Sequence, residues 1–218
     1  MSDFFTRINN VRSSLAQKIR NNIGPKISEV ENVRKSYRNA VSELSIDYGF
    51  SSIVGENVAR DSLIGMVNNL LHTKSEHLID WQSAPKPGER ALDAALTKAN
   101  GEKIRLYDLC KSTEHQLLLF TGLNSVPISN QVLLSIAEFT KQNYGQQINT
   151  HLIVSPSTIL EGSNQSVNHL NDPELIAHRK YGASSVCLFL VRPDGYIAYR
   201  AIPPSIDAFQ TYLQSIFK

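Results

Sequence analysis

Cysteine is scarce in this chain: two in 218 residues, Cys110 and Cys187, far apart and in no CxxC pair. That excludes a local dithiol that cycles through a disulfide, and a disulfide framework with it. Such sparing use fits a reducing compartment, so a cytoplasmic location is expected. Glycine occurs at eleven positions but never two apart, so no GxGxxG turn is present to cradle a dinucleotide pyrophosphate. No P-loop, HExxH helix or GxSxG elbow occurs either, which removes nucleotide-phosphate, zinc-protease and serine-hydrolase chemistry in their usual sequence forms. No apolar run approaches the roughly 18 residues of a membrane-spanning helix. The opening MSDFFTRINNVRSS has no apolar core of leader length. An excess of one charge is also lacking: the net charge is +2, which argues against a dedicated nucleic-acid binder.

What remains is a globular composition, 41% hydrophobic and 19% charged, sufficient for a buried core. Its charge is uneven. Residues 1–40 hold eight basic side chains (Arg7, Arg12, Lys18, Arg20, Lys26, Arg34, Lys35, Arg38) against three acidic ones (Asp3, Glu29, Glu31). There Phe4, Ile8, Val11, Leu15, Ile19 and Ile23 recur at spacings of four and three, one apolar stripe on a basic helix. Gly24-Pro25 ends it, and Ile27, Val30, Val33, Tyr37, Val41 and Leu44 form a second stripe. The pair reads as a helical hairpin whose apolar side covers the protein's own core or a partner protein. A membrane surface is the weaker reading. Residues 45–56 read as a strand or turn. Asn57 is placed to cap a third helix bearing Leu63, Met66, Val67, Leu70 and Leu71. QSAPKPGE (82–89) reads as a linker. Residues 1–84 are thus expected to be a helical appendage with its linker, and 85–218 a second domain.

From there the pattern alternates. LLLF (117–120), beginning near His115, and INTHLIV (148–154) read as strands, with a helix over 130–142 between them. Asp172-Pro173 places a cap before a proline, which predicts a short helix over 173–180. VCLFLV (186–191) reads as a strand buried on both faces. Arg-Pro-Asp-Gly (192–195) then predicts a tight turn closed by a glycine bulge. In the return strand, simple alternation puts Tyr196, Ala198 and Arg200 on one side and Ile197 and Tyr199 on the other. A helix over 205–217 carries Ile206, Phe209, Tyr212, Leu213 and Ile216. Strand, helix, strand, helix, hairpin, helix is the order of a thioredoxin-like α/β sandwich, here preceded by the helical N-terminal appendage.

PGERALDAALTKANGEKIRLYDL (87–109), HQLLLFTG (115–122), HRKYGA (178–183) and LVRPDGYIAYRA (190–201) together resemble the C-terminal region of the FAD-dependent aromatic hydroxylases, the phenol 2-monooxygenase and chlorophenol monooxygenase type. SELSIDYGFSSIV (42–54) is similar to the segment that closes that family's substrate domain, so the resemblance runs over about 27–218. Leu92 stands where the family has proline, and Gly49 and Ser52 replace an arginine and a proline. The family uses FAD and NADPH on an upstream Rossmann-type domain, and nothing in this chain has that domain's fingerprint. The resemblance implies a stand-alone C-terminal region that binds no cofactor itself. It would act as a non-catalytic interaction or oligomerisation module, as a homo-oligomer or with a separate flavoprotein chain, and not with nucleic acid. The alternative is a monooxygenase component that works with such an FAD-bearing chain.

PGERALDAALTKANGEKIRLYDL also resembles the opening of peroxiredoxins, which raises a thiol peroxidase as a further alternative. That chemistry needs a low-pKa thiolate near a helix N-terminus after the first core strand, and FTGLNSVPISNQ (120–131) has no cysteine there. His72 and His77 are five apart, off the spacing of one helical face, and His151, His169 and His178 form no compact ligand set, so no metal site is expected. His178, Arg179, Tyr181, Arg192, Asp194, Tyr196 and Arg200 are the residues that could converge near the hairpin. From them and from the first helix, Phe4, Ile8, Val11, Leu15, Ile19, Tyr181, Arg192, Tyr196 and Arg200 are the expected interface positions.

Overall fold

A run such as HQLLLF has apolar side chains at consecutive positions, so an extended chain there must bury both faces. That burial is seen in the computed structural model, which describes residues 49, 51, 53–58, 81–123, 127–158 and 167–217, all within the unit Asp47–Lys218. The described strands are β1 (Gly55–Val58), β2 (Ala95–Lys98), β3 (Lys103–Arg105), β4 (His115–Phe120), β5 (Ile148–Val154), β6 (Asn168–Asn171), β7 (Cys187–Val191) and β8 (Ile197–Ile202). The helices are α1 (Leu106–Leu109), α2 (Pro127–Tyr144), α3 (Ile176–Lys180) and α4 (Ile206–Ile216), with a 3-10 turn at Trp81–Ser83.

Among the described residues the strands form one sheet in the order β1-β8-β7-β4-β5-β6-β2-β3. β4 and β5 are parallel across the α2 crossover, β7 runs antiparallel to β4, and β8 returns antiparallel to β7. Leu117 and Leu119 of β4 pack with Leu133, Ile136 and Ala137 of α2 and Phe209 and Leu213 of α4. Leu118 and Phe120 face the other way, against Leu106 of α1, Ala177 of α3, and Trp81. This is the thioredoxin-like α/β sandwich expected from the element order. The stripes of residues 1–44 and the third helix after Asn57 lie outside the described residues.

Several elements differ from the sequence reading. Asn57 caps no helix: it lies in β1 and pairs with Ala201, because β1 runs parallel along β8. QSAPKPGE is no free linker, since Trp81 and Ala84 are each 2% exposed and lie in the core. ALTKANGEKIR folds as the hairpin β2–β3, turned at Gly101 with φ of 85°, and β2 extends the sheet antiparallel to β6. α3 starts at Ile176, three residues later than expected, because Leu175 adopts a left-handed φ of 56°. Asp172 still acts as the cap, accepting from the Ile176 and His178 N–H groups at 2.9 and 2.8 Å.

The Arg-Pro-Asp-Gly turn forms as read. Gly195 takes a φ of 83°, its N–H donates to Arg192 O at 2.9 Å, and Arg192 N–H donates to Tyr196 O at 2.8 Å. Alternation in β8 does not hold. Leu190 pairs with Tyr199 but Val191 with Ile197, so Ala198 is an extra residue in a β-bulge. Ala198 and Tyr199 consequently share the α4 side, and Arg200 falls on the Trp81 side. PGERA lies along the outer edge of the same hairpin: Gly88 N–H donates to Ile197 O at 2.8 Å, Ile197 N–H to Glu89 O at 2.8 Å, and Ala91 N–H to Gly195 O at 2.9 Å.

Arg200 is 4% exposed. Its Nε and Nη2 reach Glu56 Oε1 at 2.8 and 2.6 Å, and Nη1 donates to the carbonyls of Trp81, Ala84 and Pro85 at 3.3, 3.1 and 3.4 Å. The guanidinium also lies 4.7 Å from the Trp81 ring centroid. One cation thereby ties β1, the 81–85 segment and β8 together. Arg200→Met keeps the stem and removes every donor, leaving three carbonyls and Glu56 without their partner. The expected loss is about 3 kcal/mol, read as a lower urea midpoint, with Arg200→Lys only partly restoring it because an ammonium cannot span all four acceptors.

Candidate functional site

In open α/β sheets, sites form outside the carboxyl ends of the parallel strands. Here those ends are Thr121 after β4, Ser155 after β5 and Asp172 after β6. Thr121 is wholly buried, and its Oγ1 accepts from the Ser155 N–H at 3.1 Å and from Thr158 Oγ1 at 3.0 Å. Ser155 Oγ lies 2.8 Å from Thr158 Oγ1 and 3.2 Å from Ser157 Oγ, while Ser157 donates to the Leu123 carbonyl. Gly122, with φ of 76°, closes the junction against β7: a Cβ there would meet the Ser185 carbonyl carbon at 2.7 Å. Among the described residues, the mouth of the β4–α2 junction is therefore lined by hydroxyls that bond one another and by closely packed backbone.

The thiols are elsewhere. Cys187 is fully buried in β7 opposite Phe120, and burial pushes its thiol far above the usual range. Cys110 ends α1, where its N–H donates to Tyr107 O at 3.2 Å. Burial raises its thiol as well, and the nearby Arg90 offsets this only in part. A reactive cysteine needs an electropositive, accessible setting that favours the thiolate, and both settings favour the thiol.

The expected interface residues do not form one surface. Phe4, Ile8, Val11, Leu15 and Ile19 lie outside the described residues. Tyr181 is wholly buried, donates to Leu92 O at 2.8 Å, and sits between Phe120 and Phe189 at centroid distances of 5.2 and 4.9 Å. Arg200 is the buried cation described above. Tyr181 and Arg200 are thus core residues and not interface positions, because their polar atoms serve internal carbonyls. Arg192 pairs with Asp194 within the hairpin turn, and Tyr196, 6% exposed, lies beside Arg90, whose guanidinium carbon is 5.7 Å from its ring centroid. These two share the hairpin end of the domain.

His178 belongs to a different cluster, which the sequence reading did not find. Its Nδ1 donates to Asp172 Oδ2 at 2.8 Å, the two side chains are 0% and 1% exposed, and Phe120 meets the ring edge-on at 5.3 Å. His178 Nε2 is buried with no hydrogen-bond partner. The only sequence signal was Asp172 six residues ahead of His178, a spacing that the left-handed Leu175 brings within reach. No group of three His, Cys, Asp or Glu side chains suited to a metal occurs among the described residues; His72 and His77 lie outside them.

His151 of β5 is the other buried histidine among the described residues, 5% exposed. Gln116 of β4 turns its amide nitrogen to Ser112 Oγ at 3.0 Å and Glu114 O at 2.9 Å, so its oxygen faces His151 Nε2 at 2.8 Å. Burial pushes the His151 imidazole down from 6.5 to about 4.

Neither a family model nor a curated protein matches the chain. Among solved structures, a thiol peroxidase from Chromobacterium violaceum is similar at 14% identity and a TM-score of 0.47, covering 62% of this chain and 90% of that one. A peroxiredoxin-like protein from Aquifex aeolicus gives 14% identity and 0.46, over 62% and 89%. The exposed lipoprotein thioredoxin of Streptococcus pneumoniae gives 20% and 0.44, over 57% and 99%. Nothing about chemistry follows from these similarities; the fold rests on the strand order itself. No helix among the described residues is long and apolar enough to cross a membrane.

Two outcomes are expected from this geometry. Gly122→Ala should lower stability by about 2 kcal/mol or more in urea denaturation, since it combines a positive φ with a backbone clash. For His151, the unfolded imidazole takes a proton near 6.5 while the folded one refuses it until about 4. The unfolded state binds more protons in that window, so stability falls as pH drops through it, by up to roughly 3 kcal/mol. His151→Gln should flatten that slope relative to the wild type when urea unfolding is followed over the same pH range.

Proposed function

We propose that this domain is a redox-inert thioredoxin-like module that works by association, as a homo-oligomer or with a flavin-bearing partner of the aromatic-hydroxylase type. One observation carries the reading. The β4–α2 junction, where a thioredoxin-like enzyme holds its thiolate, presents Thr121, Gly122 and Leu123, and the following Asn124-Ser125-Val126 adds no cysteine. A hydroxyl does not ionise under the pull of a helix N-terminus as a thiol does. The buried Cys187 and the half-buried Cys110 supply no substitute.

The resemblance to the hydroxylases is supported by where its motifs lie. PGERA and RPDGYIAYR, distant in sequence, are hydrogen-bonded side by side, and their Arg200 holds the 81–85 segment. These residues are spent on architecture, as suits a structural domain. What supports leaving FAD to a partner is the strand–helix junction: among its described residues Gly122 is packed onto the Ser185 backbone, and the neighbouring hydroxyls are engaged with one another. The flavin chemistry of such a system would belong to the partner.

The full chain, purified and equilibrated with FAD, should retain no visible flavin spectrum. It should consume peroxide no faster than its Cys110→Ser and Cys187→Ser variants. Sedimentation should show concentration-dependent association, or binding to a flavoprotein encoded nearby. A monomer at high concentration that binds no such flavoprotein would sink the association reading, and peroxide turnover lost in either variant would revive the peroxidase.

A further inference from the structure

Along the edge of the β7–β8 hairpin, Arg90 forms a single antiparallel bridge to Tyr196. Its guanidinium lies beside two phenol rings, 5.8 Å from the Tyr107 centroid and 5.7 Å from that of Tyr196. Hydrogen bonding to these two neutral side chains favours its charged form. Among the described residues no carboxylate forms an ion pair with Arg90. The carboxylates of the flanking segments are engaged elsewhere. Asp93 Oδ2 holds Arg105 Nη2 at 2.5 Å and Nε at 2.6 Å. Asp194 Oδ2 holds Arg192 Nη2 at 2.5 Å, and Glu89 Oε2 accepts from the Lys86 N–H at 2.8 Å. Arg90 is therefore a cation met by aromatic rings and hydroxyls and by no anion of the described chain. It is partly exposed, and only Nε of its guanidinium is buried without a hydrogen-bond partner, so an incoming acceptor meets the Nη groups.

The surface beside this cation is apolar. Leu92 and Tyr107 are each 38% exposed, two of the four large hydrophobic side chains so exposed among the described residues. Tyr107 is pinned along residues 91–93: its hydroxyl donates to Ala91 O at 2.9 Å, and its N–H donates to Asp93 Oδ1 at 3.2 Å. Arg90, Leu92 and Tyr107 thus share one short stretch of surface. Arginine and tyrosine are the residue types that anchor protein contacts. A guanidinium fork already held beside aromatic rings loses little freedom when a carboxylate docks on it. The complement of this patch is an anion with an apolar neighbour.

We propose that this patch docks a partner-protein segment that places a glutamate or aspartate carboxylate on Arg90 and an apolar side chain on Leu92 and Tyr107. Such docking rests on the association reading above, to which it adds a surface and a chemistry. The test uses the full chain and two synthetic peptides, acetyl-Leu-Glu-Leu-amide and acetyl-Leu-Gln-Leu-amide, which differ in the carboxylate alone. Binding is followed through the side-chain Nε signals of ¹⁵N-arginine-labelled protein, with that of Arg90 identified by its absence from Arg90→Lys. The glutamate peptide should shift the Arg90 signal and bind about tenfold or more tighter than the glutamine peptide, the value of a charge-assisted hydrogen bond. That margin should shrink as salt is added. Arg90→Gln should erase it. If that variant does not fold, Leu92→Asp sets a like charge on the patch and should weaken the glutamate peptide with Arg90 intact. Equal affinity for the two peptides, or no shift at Arg90 up to the solubility limit of the glutamate peptide, overturns the docking site. A chain that stays monomeric and binds no flavoprotein sinks the association reading instead, whatever the peptides do.

Discussion

The Arg200 guanidinium is the interaction on which the rest of this architecture depends. Placing a cation at 4% exposure costs several kcal/mol, and the site answers with one carboxylate, three carbonyls and an aromatic face. Its partners come from two short segments. β1 has four residues at the sheet edge, and 81–85 has a single 3-10 turn. Arg200 reaches them only because of the bulge at Ala198. Counted from Ile197 without it, Arg200 would face Phe209 and Leu213, where no acceptor is placed for a charge. A single inserted residue exchanges the two faces of a strand. Here it moves a cation from the α4 side to a ready-made cage of acceptors.

The functional end of the sheet shows the reverse economy. Thr121, Ser155, Ser157 and Thr158 satisfy one another and the local backbone at the carboxyl ends of β4 and β5. A closed network of this kind rigidifies a junction. Among the described residues it holds no thiol, and Gly122 is packed so closely on Ser185 that a Cβ would meet its backbone. Among the described residues, the buried groups without a hydrogen-bond partner include one ring nitrogen each of His151, His169 and His178.

Much of the fold was legible. β4, β5, β7 and α4 appear close to where their apolar runs and stripes place them, because both-face burial and a helical period are local patterns. The Arg-Pro-Asp-Gly turn forms as read, since Gly195 supplies the positive φ wherever the hairpin sits. β2, β3 and β6 were missed: three- and four-residue strands carry too few side chains to show a period. Of the candidate site, little could be read. Tyr181 and Arg200 have the residue types of an interface, and only the packed structure reveals that Leu92 O and the 81–85 carbonyls consume them.

The amino-acid sequence by itself determined the order of the core elements, the hairpin turn, and the absence of a thiol at the β4–α2 junction. These follow from composition and from spacings of a few residues. Tertiary structure alone decided which face Arg200 takes, that PGERA lies beside the hairpin more than a hundred residues away in sequence, and that Asp172 meets His178. It also decided that burial holds the His151 imidazole well below its usual range. Each of these depends on register, burial and the removal of water, and those properties exist only once distant strands have met.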